Sequence, residues 1–247
     1  MTTVAAIIIG DEILSGKVRD ANAAPLIDLC AEMGVDLQRI SYISDDEEDI
    51  VSEVRRCAEI FDAVITSGGV GPTHDDRTVD SIAKAFNVGV VLHPELEKMI
   101  RAWWGDRFTE AALRIGRVPE GSRLIYSNDG LIPLVVFNNV YIFPGIPRLF
   151  KAKITALREV LTGSPHYRSN LYLSPDESAV ADRLTAVDAA CPDVKIGSYP
   201  RSEGEDHRIW ITLEASDTVT LDAAVDQLLE VLDDDEVVRI ERSKVQR

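Results

Sequence analysis

Within the first 86 residues, three short apolar runs alternate with three stretches of helical periodicity. Spacing that tight allows little but an α/β arrangement, a mostly parallel sheet with helices on both faces. Residues 4–9 (VAAIII) are continuously apolar and partly β-branched, the pattern of a strand buried on both sides. Residues 10–18 are polar and glycine-punctuated and read as a loop. A helix is expected after it, with Asn22 as cap, Pro25 in the first turn, Leu26, Leu29, Cys30 and Met33 on one face, and Gly34 at the end. Residues 35–43 form the next strand. Ser44-Asp45-Asp46-Glu47 then has the form of a capping box for a helix through Glu59. Residues 63–66 are a third strand, and residues 67–77 a second glycine-rich loop leading into a helix to Phe86.

Farther on, residues 134–137 and 140–143 flank Asn138-Asn139 and read as an antiparallel hairpin at the sheet edge. Pro144-Gly145-Ile146-Pro147 is a rigid turn before a helix through Leu161. Gly163-Ser164-Pro165 combines chain breakers with a change of rhythm, which places a boundary between residues 1–163 and 167–247. The second part reads strand, helix, strand, strand, helix, strand. That order, βαββαβ, is the ferredoxin-like split motif of a small α+β domain. Its first helix starts at Ser174-Pro175-Asp176-Glu177, and its second carries Leu221, Val225, Leu228, Leu229 and Leu232 on one face. The acidic run 233–236 reads as a solvated helix end.

Charge excludes one class of function. With 26 Lys+Arg against 42 Asp+Glu the net charge is −16, and no basic stripe exists to neutralise a nucleic-acid backbone. A nucleotide substrate stays open, since a divalent cation mediates between carboxylates and phosphates. Cys30, Cys57 and Cys191 lie too far apart in sequence for a zinc or redox motif, and Cys30 and Cys57 read as inert buried thiols. No stretch approaches the ~20 apolar residues of a membrane span. The expectation is a cytoplasmic protein with no membrane partner.

Two glycine-rich loops leave the carboxyl ends of strands, the edge where open α/β sheets bind ligands. The first is Gly10-Asp11-Glu12-Ile13-Leu14-Ser15-Gly16-Lys17-Val18. It is no P-loop: five residues separate its glycines, and Val18 stands where a hydroxyl is required. Glu12 is a candidate for chemistry or for pairing with Lys17 or Arg19. The second runs Thr66-Ser67-Gly68-Gly69-Val70-Gly71-Pro72-Thr73-His74-Asp75-Asp76-Arg77-Thr78. Its glycines let backbone N–H groups approach an anion, which the helix start behind them favours. Asp75 and Asp76 stand where they would cap that helix or hold a metal ion. Neither a Gly-x-Ser-x-Gly elbow nor an HExxH motif is present.

These strings, with Asp20 and Asn22, resemble the molybdopterin-binding-like domain shared by molybdenum-cofactor enzymes and CinA-type proteins. The likeness extends to the amino-terminal region of animal FAD synthase through His93-Pro94, the segment from Asn139 through Gly145 to Pro147, and Gly197-Ser198-Tyr199-Pro200. It covers nearly the full length. It implies the fold above, a homo-oligomer (dimer or trimer), and metal-dependent hydrolysis of a nucleotide pyrophosphate such as FAD or ADP-ribose. FAD synthase makes FAD in a separate carboxy-terminal domain, and CinA proteins often carry a deamidase domain; this chain is expected to lack both.

On that reading Gly68, Gly69 and Gly71 cradle the pyrophosphate, and Asp76 with Asp11 or Glu12 holds a divalent ion (Mg, Mn or Co). Thr73 and Thr78 donate to phosphate oxygens, and Asp75 accepts a proton from water or caps the helix. Gly10, Ser15, Gly16, Asn22, Ser67, Pro72, His74, Gly145 and Pro147 complete the expected ligand contacts. His93, His166 and His207 are expected to be non-catalytic. One of Trp103 and Trp104 at most would stack a ring, since adjacent helical positions diverge. Tyr199 and Arg201 are candidates for closing the cleft. Two other readings stay open: a molybdopterin-binding or adenylyl-transferring protein, and a non-catalytic nucleotide-binding module. Each takes a small-molecule nucleotide or pterin.

Overall fold

The computed structural model describes residues 2–126, 133–201 and 206–242. The chain divides into two compact units, Met1–Gly163 and Ser164–Arg247. In the first, the elements are β1 (Thr3–Ile9), α1 (Asp11–Leu14), α2 (Ala23–Met33), β2 (Asp36–Ile43), α3 (Glu47–Ile60), β3 (Ala63–Ser67) and α4 (Thr78–Ala85). They are followed by β4 (Val90–Leu92), α5 (Pro94–Trp104), β5 (Arg117–Pro119), β6 (Arg123–Ile125), β7 (Leu134–Phe137), β8 (Val140–Phe143) and α6 (Pro147–Ile154). The main sheet has the order β2-β1-β3-β8-β7-β6, with β4 and β5 forming a separate ribbon. Strands β2, β1, β3 and β8 are parallel; β7 and β6 run antiparallel to their neighbours.

Side-chain alternation divides the apolar run of β1 between two cores. Val4 and Ala6 pack with Leu26, Leu29 and Cys30 of α2 and Phe150 and Ile154 of α6. Ala5, Ile7 and Ile9 face the other way, onto Ile50, Val54 and Cys57 of α3 and Ile82 and Ala85 of α4. The sheet is thus covered on both faces, which is why β1 and β3 read as unbroken hydrophobic runs.

The second unit contains β9 (Tyr167–Leu173), α7 (Glu177–Ala190), β10 (Lys195–Pro200), β11 (Ile209–Ala215), α8 (Thr218–Glu230) and β12 (Val237–Glu241). Its antiparallel sheet has the order β10-β11-β9-β12, the split βαββαβ arrangement. Leu221, Val225 and Leu228 of α8 meet Val180, Leu184 and Val187 of α7 over Leu171, Ile211 and Leu213.

Several local expectations are corrected. The first loop contains one helical turn, α1, because the Gly10 carbonyl accepts the N–H groups of Ile13 and Leu14. Asn22 precedes α2 but does not cap it; Asp20 does, accepting from the N–H groups of Asn22 (3.1 Å) and Ala23 (3.0 Å). The cap of α3 is Asp46 and not Ser44, whose hydroxyl goes to Asp49 instead. The helix after Pro147 ends at Ile154 and tightens into a 3-10 turn over Thr155–Glu159, where the Thr155 hydroxyl bonds back to the Ala152 carbonyl. Glu236 closes the acidic run not in solvent but on Arg183, with both guanidinium nitrogens at 2.6 and 2.7 Å.

Candidate functional site

The chain places β2 on one side of β1 and β3 on the other. The helix after β1 (α2) and the helix after β3 (α4) therefore lie on opposite faces of the sheet, and the loops that lead to them part at the carboxyl ends of β1 and β3. Such a switch point opens a crevice without any special sequence. Both glycine-rich loops enter it, and the turn after β8 joins them.

The second loop can make its bend only with glycine. Gly68 has φ +112°, and a Cβ there would lie 2.1 Å from the Ile9 carbonyl oxygen; Gly69, at φ +62°, leaves room for the Thr78 hydroxyl. Thr78 is fully buried, and its hydroxyl donates to the Gly68 carbonyl at 2.8 Å. That bond spends its only proton, so Thr78 is a brace for the loop and does not reach a phosphate. The Gly68 N–H is likewise spent, on the Phe143 carbonyl at 3.2 Å. Among the described residues, the N–H groups of Gly69, Val70 and Gly71 have no protein acceptor. Three successive donors thus remain free, Gly69 to Gly71, whereas the expected set began at Gly68.

Asn22 locks this loop in place. It is 3% exposed, and its amide donates to the Ser67 hydroxyl (2.9 Å) and the Gly145 carbonyl (2.8 Å). Asn22 and Ser67 thus brace the loop, while the buried Asn22 Oδ1 has no partner among the described residues. Gly145 packs against the backbone of Gly68, while Pro147 opens α6. Neither Asp75 nor Asp76 caps α4. Asp76 instead accepts from the Thr73 N–H at 2.8 Å and from the Thr73 hydroxyl. Contact with that hydroxyl, ahead of the charges of His74 and Arg77, holds the exposed Asp75 carboxyl below the usual carboxylate range. A carboxylate so stabilised is a poorer base.

The first loop brings a partner that sequence reading assigned to a cap. The Asp45 carboxylate accepts the Asp11 N–H at 2.9 Å, and the Asp45 N–H returns to the Asp11 carboxylate at 3.4 Å. Burial, with the negative charges of Asp11, Glu12 and Asp75 near it, raises the Asp45 pKa. Among the described residues no three His, Cys, Asp or Glu side chains form a ready-made metal site. Glu12 pairs with neither Lys17 nor Arg19, and Ser15 and Gly16 sit in the turn that closes α1. Gly10 lies beneath the Glu12 carboxylate.

A cleft of about 490 Å³ opens on this framework, within the ~300–1,000 Å³ range usual for small-molecule sites. Its floor is Gly68 to Pro72 with Glu12, Asp76 and Gly145; its walls include Val79, Leu96, Trp103, Ile115, Val135 and Leu149. Trp103, 56% exposed, faces it, whereas Trp104 packs into the small core of Leu96, Ile100, Ala112 and Val118. A second chamber of about 390 Å³ adjoins it and is polar, lined by Thr73, His74, Arg77, Arg114 and Arg117 among others. Val70, Gly71, Asp76, Val79 and Arg117 border both. Arg117 is held by Asp80 at 2.7 Å and Arg114 by the Pro72 carbonyl at 3.0 Å; Arg77 is exposed.

Sequence reading missed these arginines and also Lys153, which lines the cleft and donates to the Pro133 carbonyl at 3.1 Å. Burial pushes the Lys153 pKa down to about 8. Arg77 lies in the second glycine-rich loop just before α4, where it carried no assigned role, and Arg114 and Arg117 lie after α5, where periodicity carries no site signal. Lys153 shows in sequence only as a lysine on an amphipathic helix.

The remaining candidates are structural or lie outside the crevice. His74 is exposed and 3.9 Å from Asp75. His93 caps α5, its ring nitrogen accepting the Glu95 N–H. His207 is buried against Asp206 at 2.6 Å and the Tyr172 ring. Cys30 and Cys57 are buried, and burial raises both thiols to about 11, as inert thiols require. Tyr199 and Arg201 stack on Trp210 within the second unit.

Residues 5–163 match the family described as "Probable molybdopterin binding domain". The chain belongs to that family. As a molybdopterin-binding-domain protein it also matches, over residues 165–241, the family described as "FAD synthase, middle domain". It is 32% identical over 258 residues to a "Probable FAD synthase" of Caenorhabditis elegans, covering 93% of this chain and 50% of that protein. A "CinA-like protein" of Myxococcus xanthus is 33% identical over 186 residues, covering 71% of this chain and 42% of its own length. An Archaeoglobus fulgidus protein is 31% identical, with 92% and 97% covered. The chain thus spans about half or less of the first two relatives and nearly all of the third. The crystal structure of CinA from Thermoplasma acidophilum, itself described as of unknown function, aligns with TM-score 0.59 and 29% identity over 65% of this chain and 99% of that one. Among the described residues no helix is long and apolar enough to cross a membrane.

Proposed function

We propose that the crevice binds a nucleotide containing a pyrophosphate, of the FAD or ADP-ribose type, and hydrolyses it with a divalent ion. The observation that carries this reading is the abutment of an apolar cleft and a polar chamber, lined by three arginines and by Glu47, Asp76 and Asp80, across a loop offering three free N–H groups. A heteroaromatic ring suits the first compartment, with Trp103 as a stacking face. Phosphates suit the N–H cradle and the guanidinium groups of Arg77, Arg114 and Arg117. The names of the FAD synthase relatives favour a flavin nucleotide.

The donor set fits a divalent ion of the Mg²⁺ kind, which keeps several waters and takes only one or two carboxylates beside substrate phosphates. Glu12 and Asp76 border the cleft and Asp11 precedes Glu12 on α1, so the shortage of a protein-only cage is no obstacle. Asp76 with Asp11 or Glu12 would hold the ion; when bound, it would neutralise phosphate charge and lower the pKa of a bound water. The protein's own part is to fix the phosphates on Gly69–Gly71 and to hold the ring away from solvent. Self-association as a dimer or trimer belongs to the same reading.

A second reading is favoured by one observation. Asp75 is held below the carboxylate range and Asp76 is engaged by Thr73, which suits binding without turnover. Incubation with FAD and ADP-ribose across Mg²⁺, Mn²⁺ and Co²⁺, followed by assay of AMP, separates the two. AMP release lost in Asp76→Ala is the expected result. Saturable binding with no AMP under any ion would replace the hydrolase with a nucleotide-binding module.

A further inference from the structure

The cleft contains a cation, Lys153, with no ion pair among the described residues. One carbonyl, that of Pro133, accepts from it. An ammonium has three N–H donors and no acceptor, so two remain in a space walled by Val135 and Leu149. Donors withdrawn from water and left unmatched are costly, and a bound ligand with acceptors relieves that cost. Lys153 stands six residues into α6, about 9 Å along the axis from Pro147. The start of α6 adjoins Gly145, which packs on Gly68, so the Lys153 backbone stands more than one helical turn from that contact.

We propose that Lys153 reads the ligand's ring: its ammonium donates to an oxygen on the edge of a fused heteroaromatic ring and so selects oxo-edged rings over adenine. This rests on the nucleotide reading above and adds which ring that site takes. A carbonyl oxygen on an isoalloxazine or a pterin offers a lone pair to one of the remaining protons. Adenine has no exocyclic oxygen: an ammonium placed for one would meet its amino group, donor against donor, unless the ring shifted to present N1 or N7, and a polar mismatch of that kind is what gives binding sites their largest discrimination.

Three monophosphates that differ in the ring test this: FMN, neopterin monophosphate and AMP, each titrated calorimetrically against the full chain. Wild type is expected to bind FMN or the pterin at least tenfold more tightly than AMP, and whichever of the two binds better names the ring. Lys153→Met should lower the ratio of oxo-ring to AMP affinity about tenfold, the weight of one hydrogen bond to a charged group. Lys153→Gln, which retains a neutral donor, should recover part of that ratio and carries the test if the methionine variant does not fold. An equal loss for all three ligands would assign Lys153 to phosphate and overturn the inference. An unchanged ratio would overturn it too, leaving the nucleotide reading intact. If no ligand binds the wild-type chain, both readings fall.

Discussion

Asn22 shows how a single amide can hold a site together. Its two donor protons reach Ser67, 45 residues away, and Gly145, 123 residues away. Asn22→Ala leaves the buried Ser67 hydroxyl and the part-buried Gly145 carbonyl without this donor, at an expected cost of about 2 kcal/mol, read as a lower urea midpoint with unchanged slope. Lys153 acts on stability with the opposite sense. Its folded pKa of about 8 lies below the ordinary lysine value of 10.5, so between those limits the unfolded chain binds the extra proton. Stability is therefore penalised in full below pH 8 and rises as pH climbs from 8 toward 10.5. Lys153→Met should be more stable than wild type at pH 7, and the gap should close by pH 10.5; denaturant curves at the two pH values check it. Neither residue's role was legible in sequence. An asparagine before a helix reads as a cap on local grounds, and only the folded chain brings Ser67 and Gly145 to it.

At the scale of elements, sequence carried most of the information. The unbroken runs of β1 and β3 mark strands with both faces covered, and the covered sheet follows from them. The hairpin about Asn138-Asn139 forms where expected, with Asn138 at φ 49°. Capping was the weak point: several Asp and Ser residues crowd each helix start, and which one caps depends on where the others find partners. The glycine loop was legible as a loop, but not which of its N–H groups stay free. That depends on Phe143, which lies in β8. Gly68→Ala would drive a methyl into the Ile9 carbonyl while demanding an unfavourable φ. A loss of more than about 3 kcal/mol is expected, with nucleotide binding abolished before unfolding. Thermal melting paired with ligand titration distinguishes the two effects.

At the scale of the whole molecule, the cores are separate. The clusters formed by residues of the first unit share no member with the cluster of the second. A fragment of residues 1–163 is expected to melt cooperatively on its own and to keep the crevice, since every lining residue lies within it. A non-cooperative melt of that fragment would show that the second unit contributes to its stability. The chain's charge of −16 makes the three arginines of the polar chamber a local exception. Composition could exclude a nucleic-acid surface but could not reveal this clustering of three arginines with Glu47, Asp76 and Asp80, which arises because the loop before α4 meets the segment after α5.

The wall shared by cleft and chamber, running from Val70 to Asp76, has a kinetic meaning. A substrate cut where it crosses that wall leaves one fragment in each room. If the proposed hydrolysis takes place there, the two fragments would rest in adjoining compartments and need not leave in a fixed order. Added singly, each would compete with substrate; added together, they would occupy the protein side by side.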